Sequence, residues 1–329
     1  MTRIVKPFKN KTLGASATLA LSALALAAFP GEALARKFAG ESFSLGVGAR
    51  SLALGRAVIA GPFDGGAGYW NPAGMNYVTQ RTLLAMHSET FGSLLNQDFI
   101  GMVAPTTRTS GLLTSYGLYI YYLGGDGVKL TEIDAGTGRP FVTGEESHGD
   151  FAFGFSGAAR YGKLDIGATL RPFYRDIAVT TAIGATLDLG LLYQARTDLR
   201  LGLALNDITS GIIRYSDGAT ESITPTLRPG FMYERVISDV TVRLMGSGDV
   251  RFEGRKATAQ YWSGDISLDT HYGLEISYIE NVFGRIGADV GDFTVGAGFV
   301  SGAFNIDAAV LRTGDLDDSY RFSAGYSFK

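Results

Sequence analysis

Cysteine is absent from all 329 residues. That excludes disulfide staples, thiolate metal ligands and a lipid-bearing cysteine, and it suits an exported chain that need not manage oxidation. Histidine is almost as scarce. His87, His148 and His271 are the whole set, and no pair has metal-ligand spacing. Glu145, Glu146 and Asp150 flank His148, but an acidic loop is ordinarily just solvated, so neither metal nor cofactor is expected. Charge of one sign is also lacking, with 29 Lys and Arg against 32 Asp and Glu. A nucleic-acid surface would need a basic excess. After the first few dozen residues no apolar run is long enough for a membrane helix, yet mean hydropathy is +0.11. The apolar residues are therefore spread in short stretches.

Residues 1–35 read as a secretory signal. Arg3, Lys6, Lys9 and Lys11 form a basic start, Leu13 to Phe29 an apolar stretch, and Ala33-Leu34-Ala35 a small-residue cleavage site. Losing four basic residues and Glu32 takes the formal net charge from −3 to −6.

Glycine, by contrast, is abundant. Its 45 residues are about twice the usual ~7% share. The densest run is Phe43 to Met75, too broken for a strand and too rich in glycine for a good helix. It ends in Trp70-Asn71-Pro72-Ala73-Gly74. Asn71 before a proline leaves the helical region, so Pro72 should open a short helix capped by Asn71. Gly46-Val47-Gly48 is not a phosphate loop, because no Lys-Ser/Thr completes it.

From Gln80 onward the period is two. Ile183, Leu187, Leu189 and Leu191 alternate with Gly184, Thr186, Asp188 and Gly190, and similar stretches of about ten residues recur to the end. We expect strands near 81–89, 96–105, 111–122, 149–160, 163–176, 182–196, 198–206, 226–236, 239–252, 268–279, 282–290, 291–300, 302–313 and 319–328. Alternation alone also fits a soluble sandwich. Parity separates the two: the long connections 123–148, 207–225 and 253–267 all follow odd strands and so lie at one end. Even connections, such as Tyr161-Gly162 and Thr197, are tight, the longest being 106–110. Short turns at one end and long loops at the other are the pattern of bacterial membrane barrels. The fold expected is all-β, an antiparallel transmembrane β-barrel of about 14 strands.

The glycine run resembles the N-terminal signature of the PorV/PorQ family of outer-membrane barrels, relatives of the long-chain fatty-acid transporter (FadL) family. The matching pieces are Gly46-Val47-Gly48-Ala49-Arg50, Leu54-Gly55-Arg56-Ala57, Asp64 and Tyr69-Trp70-Asn71-Pro72-Ala73-Gly74, with weaker likeness from Asp188 to Tyr193 and on to the C-terminus. Arg56 stands where the family usually shows a second glycine. The resemblance implies a bacterial outer-membrane protein with a signal at 1–35, a lumenal plug at 36–80 and a barrel at 81–329. Tyr326 and Phe328 on the last strand resemble the C-terminal insertion signal read by the barrel-assembly machinery, although Lys329 follows.

Two tasks fit that resemblance. One is a barrel whose outer loops dock secreted cargo, as PorV-like proteins do; the alternative is a FadL-like channel for hydrophobic small molecules. The partners implied are outer-membrane lipids, the assembly machinery, and secreted proteins or a hydrophobic ligand. An enzyme is not expected. His271, Glu275 and Ser277 share one face but stand at ~6.6 Å steps, too far for a relay within one strand. Arg171, Asp188, Arg200, Glu275, Arg285 and Asp307 should form a lumenal wall of paired charges. Their mixed signs argue against a selective ion pore. Tyrosines including Tyr116, Tyr119, Tyr121, Tyr174 and Tyr272 suit interfacial girdles or a hydrophobic path.

Overall fold

The computed structural model describes residues 40–90, 94–106, 112–209, 211–312 and 318–328. The expected signal peptide and Lys329 lie outside them. Fourteen strands close a ring: β1 (Arg81–Thr90), β2 (Leu95–Pro105), β3 (Ser115–Ile133), β4 (Pro140–Tyr161), β5 (Leu164–Ile177), β6 (Thr181–Arg196), β7 (Leu199–Asn206), β10 (Thr226–Ile237), β11 (Val240–Arg251), β13 (Ile266–Tyr278), β14 (Val282–Asp289), β15 (Asp292–Ser301), β16 (Phe304–Arg312) and β17 (Ser319–Phe328). Each pairs antiparallel with its neighbours, and β1 meets β17 from Arg81↔Phe328 to Glu89↔Tyr320. Three short strands ride on the long connections: β8 (Ile212–Tyr215), β9 (Thr220–Ser222) and β12 (Tyr261–Ser263).

Alternation sorts the side chains. On β5, Ile166 and Leu170 face outward while Asp165, Thr169 and Arg171 are buried. On β17, Tyr320, Phe322 and Phe328 are exposed while Arg321 and Ser323 are buried. The expected insertion-signal residues lie outward together, with the Tyr326 ring edge-on to Phe304 at 4.8 Å and to Phe328 at 4.8 Å. This apolar exterior is the face a bilayer requires.

One expectation changes, and one left open is decided. The 123–148 segment is not a loop. β3 and β4 stay paired out to Ile133↔Pro140, so only 134–139 turns. Beyond the bilayer neither face is apolar, so no alternation marks such a ribbon. Asp134 closes the turn by accepting from the Thr137 hydroxyl and from the amides of Thr137 and Gly136, which hold its carboxyl below the ordinary range. Of the tyrosines that suit either a girdle or a hydrophobic path, Tyr119 and Tyr121 are buried on the inner face of β3. Tyr116, Tyr174 and Tyr272 do face outward.

Residues 40–79 lie within the ring. They form short helical turns at Glu41–Phe43, Ala49–Ala53, Ala67–Trp70 and Pro72–Tyr77. The small residues that argue against a helix allow single turns only. The strand glycines are where this segment touches the wall. A Cβ at Gly202 would stand 2.7 Å from the Ile59 carbonyl oxygen, and one at Gly273 would stand 2.7 Å from that of Leu54. One at Gly167 or Gly190 would strike Pro72 or Asn71.

Candidate functional site

The segment enters at the long-loop end, where Glu41 pairs with Arg255 at 2.5 Å. Burial would raise the Glu41 carboxyl, but the Arg255 guanidinium overrides it and holds the group below its ordinary value. At the short-turn end Tyr77 is sandwiched by guanidinium groups, Arg200 at 3.6 Å and Arg160 at 4.9 Å from its ring centre. Arg200 was expected in a paired charge wall; it stacks instead.

Each signature residue has a definite partner. Gly46 (φ 80°) donates to Tyr69 Oη at 3.0 Å, and its carbonyl accepts from Gln97 and Arg321. Gly48 (φ 86°) precedes the Ala49–Ala53 turn. Gly55 donates to Thr294 Oγ1, and its backbone lies too close to Ala288 for any Cβ. Asp64 accepts from the Gly66 amide, and Trp70 Nε1 donates to the Val47 carbonyl at 3.0 Å. Asn71 is wholly buried and does three things: Oδ1 accepts from Ala73 N at 3.2 Å, while Nδ2 donates to Ile59 O at 2.9 Å and to Leu191 O at 3.3 Å. It thus caps the Pro72–Tyr77 turn and ties it to the segment and the wall. Gly74 N returns to Asn71 O. Arg56, the departure from the family pattern, adopts the glycine-like conformation all the same (φ 64°).

The charges pair along the inner wall, between neighbouring strands, and with the segment. Glu275 is a hub, taking Arg50 at 2.6 and 2.8 Å, Arg243 at 2.9 Å and Arg285 at 2.6 Å. Arg285 continues to Asp307 at 2.6 Å. Toward the long-loop end Arg171 reaches Asp207 and Asp188. Ser277 donates to Glu280, so Glu275 and Ser277 are committed elsewhere and His271 joins no relay with them. Among the described residues no cluster could hold a metal.

Between the segment and the β2–β5 wall lies an aromatic nest. Phe43 packs on Phe173 at 5.0 Å, Tyr69 on Tyr121 at 6.2 Å, and Phe99 on Tyr119 at 5.5 Å. The Tyr119 hydroxyl is buried in it without a hydrogen-bond partner. Strand parity carried the signal, because Tyr119 and Tyr121 share the face of inward Gly117 rather than of Leu118 and Ile120. Two cavities adjoin the segment. One of about 30 Å³ lies by Glu41, Arg171 and Arg255. Another of about 250 Å³ opens at the short-turn end by Arg50, Asp64, Tyr77 and Arg285.

The wall behind the nest has a break in its ladder. β4 and β5 pair at Ala152↔Phe173 and again at Phe155↔Leu170, but not between. Pro172 has no N–H to give there. A similar break occurs at Pro229, between Leu227↔Val250 and Gly230↔Ser247 of β10 and β11. What lies behind that second break is charged: Arg228 and Asp249 at 3.0 Å.

These features define a closed fourteen-strand antiparallel barrel of the bacterial outer-membrane type, with a chain segment inside. No family model and no curated protein matches the chain. Solved structures do. The CymD monoaromatic hydrocarbon channel aligns at 13% identity over 86% of this chain and 98% of its own, with TM-score 0.55. A TodX monoaromatic hydrocarbon channel mutant aligns at 13% identity over 86% and 98%, with TM-score 0.53. A Pseudomonas aeruginosa FadL homologue aligns at 11% identity over 82% and 96%, with TM-score 0.47. At such identities the likeness is one of fold. None of these three concerns the PorV/PorQ family, so that closer resemblance rests on the sequence motifs alone.

Proposed function

We propose that this barrel admits a hydrophobic small molecule through its wall between β4 and β5, while segment 40–79 closes the lumen to water. The observation that carries this reading is the aromatic nest directly behind the Pro172 break. Outside the break stand Phe155 and Leu170, each about half exposed (52% and 50%); inside it stand Tyr119 and Phe173, beside Arg171, whose charge is met by Asp207 and Asp188 and whose guanidinium lies 5.7 Å from the Phe43 ring. An apolar solute passing there exchanges lipid for aromatic surface and never meets water. The Pro229 break likewise has an ion pair behind it, Arg228 with Asp249, but no such nest beside it, so an apolar solute gains less there. The neighbours named as hydrocarbon channels support this reading over cargo docking by the outer loops.

The test uses the absence of native cysteine. Phe155→Cys with Leu170→Cys puts two thiols directly opposite each other at the edge of the break and keeps Pro172 in place, since register pairs these positions. Leu227→Cys with Val250→Cys does the same at the second break. In cells making each barrel, uptake of labelled toluene is followed before and after oxidation. Oxidising the first pair should stop uptake and reduction should restore it, while the second pair should have no effect. Uptake unchanged by the first cross-link overturns the route.

A further inference from the structure

We infer that His271 makes the seating of segment 40–79 proton-sensitive, by competing with Arg56 for the two carboxylates that hold it. The inference rests on the reading of this segment as a seated plug, and its test reads the segment directly.

Arg56 is the segment's cation at this point of the wall. Its left-handed backbone is one that non-glycine residues adopt rarely; the Arg56 amide bonds the Ser51 carbonyl at 2.8 Å there, and the side chain adds its own contacts. Those contacts are loose. NH2 donates to Ser44 O at 2.8 Å, but NH1 lies 3.5 Å from Asp289 and NH2 lies 3.8 Å from Asp249. Nε is buried without a partner.

The same two carboxylates face His271, which is 2% exposed. Its Nδ1 lies 2.9 Å from Asp289 and its Nε2 lies 3.6 Å from Asp249. Neither contact has hydrogen-bond geometry, so the ring is lodged between the carboxylates rather than committed to either. Asp249 also takes Arg228 at 3.0 Å and Arg251 at 3.0 Å, and Arg251 reaches Asp269 at 2.7 Å. Farther out, Glu41, Glu253 and Arg255 form their own group, and Arg321 and Tyr69 lie on the other side of Arg56.

With a neutral imidazole, Arg56, Arg228 and Arg251 balance Asp249, Asp269 and Asp289. A proton on His271 adds a fourth positive charge against both of Arg56's carboxylates. It draws Asp289 away and repels the guanidinium. Of the three arginines, Arg56 alone belongs to the segment rather than to the wall, so the segment gives way. Histidine is the side chain whose charge changes in the neutral range, so the window to scan runs from about pH 5.5 to 9.

The experiment is hydrogen exchange with mass spectrometry on the full chain in lipid vesicles, corrected for intrinsic exchange, over that window. Peptides covering 44–60 should lose protection as pH falls, by up to about tenfold per pH unit, the slope of one proton. His271→Gln should flatten the profile, and His271→Lys should leave these peptides open throughout. Arg56→Gly, which fits the left-handed backbone, should also abolish the pH dependence. Wild type and His271→Gln following one pH course would overturn the inference, as would Arg56→Gly keeping the wild-type profile. Loss of toluene uptake through the β4/β5 break bears on neither outcome.

Discussion

Replacing Asn71 by leucine keeps nearly the same shape and removes every bond the side chain makes. The residue is wholly buried, and its loss leaves the Ile59 carbonyl and the Ala73 amide without this partner. Each buried polar group left unsatisfied costs ~1–3 kcal/mol, so the seated state should weaken by ~2–6 kcal/mol. At ~1.4 kcal/mol per tenfold, even a 3 kcal/mol loss raises the population with the turn unseated by about a hundredfold. The Leu191 carbonyl already serves the wall ladder through the Gly167–Gly190 and Ile166–Leu191 pairs, so the barrel itself should suffer little. The assay is single-channel recording in a planar bilayer beside heat-modified gel mobility. Asn71→Leu should give brief openings in a protein whose gel mobility is that of the wild type, and deletion of Phe43 to Met75 should give steady conductance. A folded deletion mutant that stays closed would refute the reasoning.

Glu275→Ala leaves Arg50, Arg243 and Arg285 facing one another with their shared carboxylate gone. Breaking such a buried pair costs ~3–5 kcal/mol, read as a lower temperature of gel-mobility change. Leu203→Arg puts a charge on the outer face of β7, a penalty of ~2–4 kcal/mol at the bilayer midplane; folding yield into vesicles should fall, whereas a wild-type yield would reverse the inside-outside assignment. An epitope within 134–139 should be labelled on intact cells and one at Gly162-Lys163 should not. The Glu41–Arg255 pair should fail in acid: the Glu41 carboxyl is lowered in the folded chain, so its stabilisation is full above the ordinary value near 4.5 and vanishes as pH falls through the folded value. Proteolysis near residues 40–46 should therefore rise below about pH 4.5, and Glu41→Gln should remove that rise.

Strand positions were legible because a bilayer imposes period two along every span, as in Ile183 to Tyr193. End-to-end parity was legible for the same reason, since counting strands assigns each connection a side. The β3–β4 ribbon was not, because neither solvent nor a core sorts its faces. Asn71 as a cap could be read from Asn-Pro chemistry. Its bond to Leu191, 120 residues away, could not. The pairing of Arg56 with Asp249 and Asp289 is likewise written in no local pattern; it arises only when the segment folds back across the lumen.

The glycines along the inner wall carry one more implication. Gly167, Gly190, Gly202 and Gly273 are hollows cut to the contour of residues 54–73, and the segment runs straight into β1, whose edge with β17 is the seam that shuts the ring. Such a wall has no filling of its own at those points. The segment supplies it, as a key fills the wards of one lock, so strands that kept their alternation but lost these glycines should still close the barrel and no longer accept the segment.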